Sequence, residues 1–334
     1  MSDVNTLQYE KENGPSLANG FHRSVAPRAR TFGKELQNAK PQATPTRKAR
    51  RVNGDLTPRV RERTVSVVES FTQRPQHVDE YQPAILAYIK SKEPSYKINK
   101  DYMAKQKDIN AKMRGILIDW LVDVNLKFKL LPQCLFLTVN LVDRFLGKVE
   151  VSRSQLQLVG AAALMIATKF EEVYPPALRD FVAVCDNAYS KTEMLDMEAR
   201  VLAALDFDVS QTSALGYLKL FNSQLELDDR GFVFARYLLE TALCDISVLK
   251  HDNCALAAGA IFLVHKIFKT GDWSLKHETV TSVSEVDVRL PAKDLYVIMQ
   301  KAETNGLGAI KRKFADAEYF EVSKYKIEKA QAKN

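Results

Sequence analysis

The chain has 334 residues, 46% of them apolar and 27% charged, the balance of an ordinary globular protein with room for about two domains. No run of about 18 apolar residues is present, so no membrane-spanning helix is expected, and the opening MSDVNTLQYEKENGPS carries neither block of a secretory signal. The net charge of +7 is concentrated at one end: residues 1–70 hold 13 Lys/Arg against 7 Asp/Glu, and the other 264 residues hold 35 against 34. A nucleic-acid groove across the folded part is therefore disfavoured. Cys134, Cys185, Cys244 and Cys254 are widely spaced and read as reduced core residues. Cys244 and Cys254 flank His251, but no second pair completes a zinc site. Phosphate-cradling glycine loops, nucleophile elbows and paired carboxylates are also missing. No metal, no cofactor and no catalytic residue are expected.

Residues 1–75 alternate Gly, Pro, Ser, Thr, Asn and basic residues without apolar period. Such a segment buries too little surface to offset its ordering entropy, so a disordered tail is expected. From residue 79 the pattern turns helical. EYQPAILAYIKS sets Tyr81, Ile85 and Tyr88 on one face, and a polar link leads to KMRGILIDWLVDV. There Met113, Ile116, Leu117, Trp120 and Val124 form a stripe, while Ile118, Leu121 and Val122 cover much of the remainder. A helix apolar on most sides is packed on most sides, yet this one also carries Arg114, Asp119 and Asp123. Unpaired buried charges cost several kcal/mol, so these groups need partners.

Further helices follow in order. Pro132 sits near the first turn of one that runs to LVDRFLG. Ser152 or Ser154 can cap the next, QLQLVGAAALMIATKF, whose Gly-Ala run suits the centre of a bundle, and YPP (174–176) breaks it. Ser190 and Glu193 form a capping-box pattern for the fifth. A second set follows: SALGYLKLFNS, DDRGFVFARYLLETALC, NCALAAGAIFLVHKIF, a region around 274–284, and PAKDLYVIMQKA, with Pro291 expected at its start. VGAAALMIATKF and AAGAIFLVHKIF stand 98 residues apart and look alike, which suggests a duplicated five-helix unit. Only ETVTSVSEVDV could be mistaken for a strand.

At this point the chain resembles a cyclin. DYMAKQKDINAKMRGILIDWLVDVNLKFKL is similar to the opening of the cyclin box of mitotic members. LTVNLVDRFL, LQLVGAAALMIATKFEEVYPP and DNAYSKTEMLDMEARVLAALDFDV continue it, and YLLETALCD, LAAGAIFL and AIKRKFADAEYFEVS resemble the second box and the C-terminal helix region. NLKFKL and DWLVDV lean toward B-type members, KFEE toward A-type. The resemblance implies an all-α fold of two tandem five-helix boxes: a tail at 1–75, a first box with its preceding helix at 79–208, and a second box with the C-terminal helix at 209–325.

The family likeness also implies roles. Arg114 matches the arginine of the first-helix motif and Asp143 its acidic partner. Lys169 and Glu198, 29 residues apart, match a lysine and a glutamate that bond the kinase around its αC helix; otherwise they are an exposed pair of little energetic weight. Tyr81, Ile85, Ile166, Phe170, Leu202, Phe207 and Val209 match the apolar bed for that helix. Met113, Ile116, Leu117, Trp120, Leu156 and Gln157 match an exposed slot that captures Arg-x-Leu segments of substrates and inhibitors, with Asp123 as the carboxylate for the peptide's arginine. For such a stripe alone, ordinary core would be the simpler assignment. Gly115 stands where the family usually has alanine, at a cost of about 1 kcal/mol in a helix interior.

In the tail, Lys11-Glu12-Asn13 matches the degron read by the anaphase-promoting ubiquitin ligase. RTFGKELQN is a degenerate destruction box, with Gly33 where leucine is expected. RKARR (47–51) is either a nuclear-import patch or a solvated basic run, and Thr44-Pro45-Thr46-Arg47 fits a proline-directed kinase site. The expectation is a regulatory subunit of a cyclin-dependent kinase acting at G2/M in nucleus and cytoplasm, itself no enzyme, with no nucleic-acid or membrane partner. The alternative is a transcription-factor core of the same fold, which calls for a strongly basic folded region.

Overall fold

Asn110 starts the first helical unit. Its side chain accepts the Met113 N–H at 3.0 Å, one of the donors left unsatisfied in a first helical turn, and α2 (Ala111–Lys127) follows. α3 (Pro132–Lys148) opens on its proline, where the missing N–H costs nothing. α4 (Leu156–Glu171), α5 (Leu178–Val184) and α6 (Lys191–Ala204) complete the unit. The second unit has the same count: α7 (Ala214–Leu225), α8 (Asp229–Leu243), α9 (Asn253–Phe268), α10 (Leu275–Thr281) and α11 (Glu285–Ala302). α1 (Gln82–Lys92) precedes them and α12 (Ala309–Lys313) follows. The computed structural model describes residues 79–325, among which there are helices and turns but no strand. Residues 11–13, 30–38 and 44–51, with their linear motifs, lie outside the described residues. Among the described residues no helix is long and apolar enough to cross a membrane.

The two Gly-Ala helices are the axes of their units. Every residue of α4 from Leu158 to Thr168 is buried. A Cβ on Gly160 would lie 2.7 Å from Leu117 Cδ1, and one on Gly259 would lie 2.9 Å from the Ala292 nitrogen. Each glycine thus admits a neighbouring helix closer than alanine could, α2 in one unit and α11 in the other. Two details differ from the sequence expectation. Pro291 lies inside α11, which begins at Glu285 with Ser284 as cap. The proline leaves one helical hydrogen bond unmade, but its ring is seated against Gly259. Neither Ser152 nor Ser154 caps α4: their hydroxyls bond each other at 3.0 Å, and Gln155 stands at the cap position without a side-chain bond. The capping box of Ser190 and Glu193 is formed, at 3.2 and 2.8 Å.

Arg114 is fully buried and grips Asp143 of α3 through two parallel bonds of 2.6 Å. Its remaining Nη1 donates to the Leu243 carbonyl at the end of α8, 2.9 Å away, so one guanidinium ties α2 to α3 and the first unit to the second. The expected polar link before α2 supplies a third member: Tyr102 is fully buried and its hydroxyl donates to Asp143 Oδ1 at 2.7 Å. Burial pulls the guanidinium pKa down, but Asp143 and Tyr102 together push it above its ordinary value, so the arginine is charged. Burial and the Asp143 charge raise the Tyr102 hydroxyl, which stays a donor.

A histidine pair fixes the far end of the second unit. The Ser274 N–H donates to His277 Nδ1 at 3.1 Å, which leaves Nε2 as the protonated nitrogen of the neutral ring. His277 Nε2 lies 3.0 Å from His265 Nε2, and His265 Nδ1 lies 2.7 Å from Thr270 Oγ1. A single chain of donors and acceptors therefore runs through both rings, and Trp273 stacks on His277 at 4.9 Å. Burial lowers both pKa values, reinforced at His265 by Lys266 and at His277 by His265 and Lys276. Asp272 is engaged by Lys266 at 2.6 Å. A proton on either ring would set donor against donor.

Two outcomes are expected. Arg114→Met strands the buried Asp143 carboxylate and should cost about 3–5 kcal/mol in urea denaturation; adding Asp143→Leu should recover much of that, and strictly additive losses would contradict the pairing. Both histidines titrate in the folded state below their ordinary 6.5, so the unfolded chain takes up protons first. Their contribution is complete above that value and is lost as the pH falls through the folded-state values. The melting temperature should drop between about pH 7.5 and about pH 5.5, and less so in the His265→Gln/His277→Gln double variant; equal slopes would contradict the assignment.

Candidate functional site

The residues singled out for kinase contact fall into an exposed set and a supporting set. α4 is buried through Thr168 and then surfaces: Lys169 and Phe170 are exposed. Lys169 Nζ bonds Glu198 Oε1 of α6 at 2.6 Å, with the lysine side chain 52% and the glutamate 13% exposed. The contact uses one ammonium N–H and one carboxylate oxygen, leaving the remaining positions of both groups to other partners. α6 is followed, after Leu205, by two successive left-handed residues, Asp206 and Phe207, with φ of 54° and 56°. That conformation is costly for a bulky side chain, and it turns the Phe207 ring outward, 70% exposed. Leu202 and Val209 are half-buried beside it, whereas Ile166 is buried and supports the surface from below.

Tyr81, just before α1, and Ile85 on it are exposed, with Tyr88 on the same outward face. The opposite side of α1 is fastened to the second unit: Gln82 accepts from Ser223 and Gln224 at 2.9 and 3.0 Å, and Lys90 donates to the Thr281 carbonyl at 2.8 Å. Just beyond α1, Glu93 accepts from the Tyr217 hydroxyl at 2.9 Å. Val173 and Tyr174, 74% and 91% exposed, were not singled out by sequence. They follow Phe170 after Glu171 and Glu172, and two large apolar residues ahead of a Pro-Pro pair were the available signal.

The stripe on α2 divides differently from the expected slot. Met113, Leu117 and Leu156 are buried, with Leu117 held against Gly160, so they form a floor and not an exposed lining. Ile116, Trp120 and Gln157 are half-buried and Asp123 is exposed. The two aspartates of α2 both meet the C-terminal segment. Asp119 Oδ1 accepts the Ala309 N–H at the start of α12, 2.9 Å away. Burial raises the Asp119 pKa, opposed by the Ala309 and Gly308 N–H groups. Asp123 is bonded by Arg312 at 2.9 and 3.0 Å, so the carboxylate expected to wait for a peptide is already engaged.

α12 is fixed on its other side by a buried triad. Lys313 Nζ reaches Glu240 Oε2 at 2.6 Å, and Arg236 Nε reaches Glu240 Oε1 at 2.7 Å. Phe314 packs on Tyr237 and Tyr319, with ring centroids 5.4 and 5.0 Å apart. Burial pulls the Lys313 pKa down to about 8, against the attraction of Glu240, and the two cations hold Glu240 below the usual carboxylate range despite its burial. Among the described residues no group of three or more His, Cys, Asp or Glu could hold a metal ion.

Comparison with known proteins agrees along most of the chain. The family profile "Cyclin, N-terminal domain" matches residues 84–210, and "Cyclin, C-terminal domain" matches residues 213–328. A G2/mitotic-specific cyclin-B of Dictyostelium discoideum is 36% identical over 251 residues, covering 75% of this chain and 58% of that protein. A G2/mitotic-specific cyclin-B of Marthasterias glacialis is 32% identical over 292 residues, 86% of this chain and 75% of that protein. A G2/mitotic-specific cyclin-A of Hydra viridissima is 38% identical over 244 residues, 72% of this chain and 58% of that protein. The chain thus spans between 58% and 75% of the length of these relatives. The crystal structure of a viral cyclin from herpesvirus saimiri shares the fold, with a TM-score of 0.58 at 19% identity, covering 67% of this chain and 98% of that one. Two matched domains and relatives of this kind settle the family: the chain is a cyclin, similar to the mitotic members and chiefly to those of B type.

Proposed function

We propose that this chain binds and activates a cyclin-dependent protein kinase, recruits substrates and inhibitors bearing Arg-x-Leu segments, and controls the G2/M transition. It supplies no chemistry of its own. A protein kinase holds ATP correctly only when its β3 lysine is paired with the αC glutamate. A surface that binds αC better in its inward position shifts that equilibrium by the difference in affinity. The observation that carries the reading is the Lys169–Glu198 pair, a half-exposed lysine on a mostly buried glutamate with bonding capacity left on both groups, beside the outward-facing rings of Phe170 and Phe207. The pair is suited to a partner's helix ends and loops, the rings and the half-buried Leu202 and Val209 to its apolar face. The near-equal counts of acidic and basic residues after residue 70 speak against the DNA-binding alternative.

In this reading Ile116, Trp120 and Gln157, over the floor of Met113, Leu117 and Leu156, take the leucine of the docking segment, and Asp123 takes its arginine. Lys11-Glu12-Asn13 is the degron for the anaphase-promoting ubiquitin ligase, and the basic run at 47–51 serves passage between cytoplasm and nucleus.

The test is phosphorylation of histone by candidate kinases with and without the purified chain. Lys169→Ala and Glu198→Ala should abolish activation and leave the helical circular-dichroism signal unchanged; full activation by either would overturn the site. Trp120→Ala should spare phosphorylation of a generic peptide and weaken only substrates bearing Arg-x-Leu. Equal losses on both classes would contradict the groove.

A further inference from the structure

We infer that Arg312 is a specificity-determining residue of the groove on α2: it holds the edge of Asp123 on which a docking peptide's arginine would sit, so that arginine must displace it. The inference rests on the reading of that groove as an Arg-x-Leu site. One nitrogen, Arg312 Nη2, lies 3.0 Å from Asp123 Oδ1 and 2.9 Å from Oδ2. It therefore straddles both oxygens. An incoming guanidinium in the two-bond, fork-to-fork arrangement needs those same two oxygens side by side, and a second cation at that edge also repels it.

Arg312 is not a loose surface side chain that drifts into contact. The backbone before it is pinned by the Asp119 bond to the Ala309 N–H, and the next residue, Lys313, is locked to Glu240 inside the protein. A Cβ on Gly308 would lie 2.7 Å from Arg312 Nη1, so alanine at that position would push the guanidinium aside. The fixed backbone therefore keeps the arginine's Cα within reach of Asp123. The pair itself stays open to water, with side chains 64% and 50% exposed, so exchange with another arginine is sterically allowed. The consequence is a groove that reads the leucine of its ligand fully and the arginine only in part.

The test is titration of the full chain with two labelled peptides, one bearing Arg-x-Leu and one with that arginine replaced by alanine. Arg312→Gln should tighten the arginine peptide by about 2- to 5-fold, the range of a broken exposed ion pair, and leave the alanine peptide unchanged. The gain should vanish when Asp123→Asn is already present. Gly308→Ala, which displaces the guanidinium without removing its charge, should give part of the gain. If Trp120→Ala abolishes binding but Arg312→Gln leaves the arginine peptide unchanged or weaker, the groove stands and the role of Arg312 is refuted. If neither peptide binds the wild-type chain, or Trp120→Ala has no effect, the groove reading itself fails and takes this inference with it.

Discussion

A single buried guanidinium holds the arrangement together. Each of the three guanidinium nitrogens of Arg114 makes a bond inside the protein: two on Asp143 of α3 and one on the Leu243 carbonyl at the end of α8. Charges of this kind add little net stability, because their desolvation cancels most of their attraction, but they tolerate very few geometries. Sliding α2 along α3, or swinging one five-helix unit against the other, would strand a charge in the core. The pair therefore sets register, and register decides which residues of α4 and α6 reach the surface.

The second unit uses the same device with different residues. Glu240 sits between Arg236 and Lys313, and this triad fixes α12 as Arg114 fixes α2. Because α12 also caps onto Asp119, the C-terminal segment bridges α2 of the first unit and α8 of the second. Between these two anchors the molecule can leave large apolar groups uncovered. Phe170, Tyr174 and Phe207 contribute nothing to the core of the free chain, and Phe207 is held in a costly backbone conformation. A scaffold stiffened by buried charge can present such a face without collapsing around it, which reduces the ordering cost of binding a mobile helix.

Much of this was legible in the sequence. The order of the longer helices followed from apolar period and from punctuation at Pro132, Ser190 and the Pro-Pro pair, because these are local effects, whereas the seven-residue α5 carried no such signal. Arg114 stood out because charge in an apolar stretch demands a partner, and only the family likeness pointed to Asp143. What escaped was non-local. Nothing near Pro291 announces that Gly259, more than 30 residues away, makes room for it inside α11. Tyr102 lay in a stretch that reads as polar link, and its burial depends on Asp143 arriving from α3. Met113 and Leu117 look the same in sequence whether they line a slot or underlie it; Leu117 is buried where Gly160 on α4 lets the two helices approach. Asp123 looked unpartnered because Arg312 is 189 residues distant in the chain.

The central claim is that the face proposed to bind a kinase exists, already formed, in the free chain. Hydrogen exchange of the free chain and of its complex with a kinase that it activates tests this most directly. The account predicts that the buried helices α2, α3 and α4 exchange equally slowly in both states, with new protection confined to the chain around Lys169–Tyr174 and Glu198–Val209 and to α1. Protection gained broadly across α2–α4 on binding, or none around Lys169 and Glu198, would contradict it.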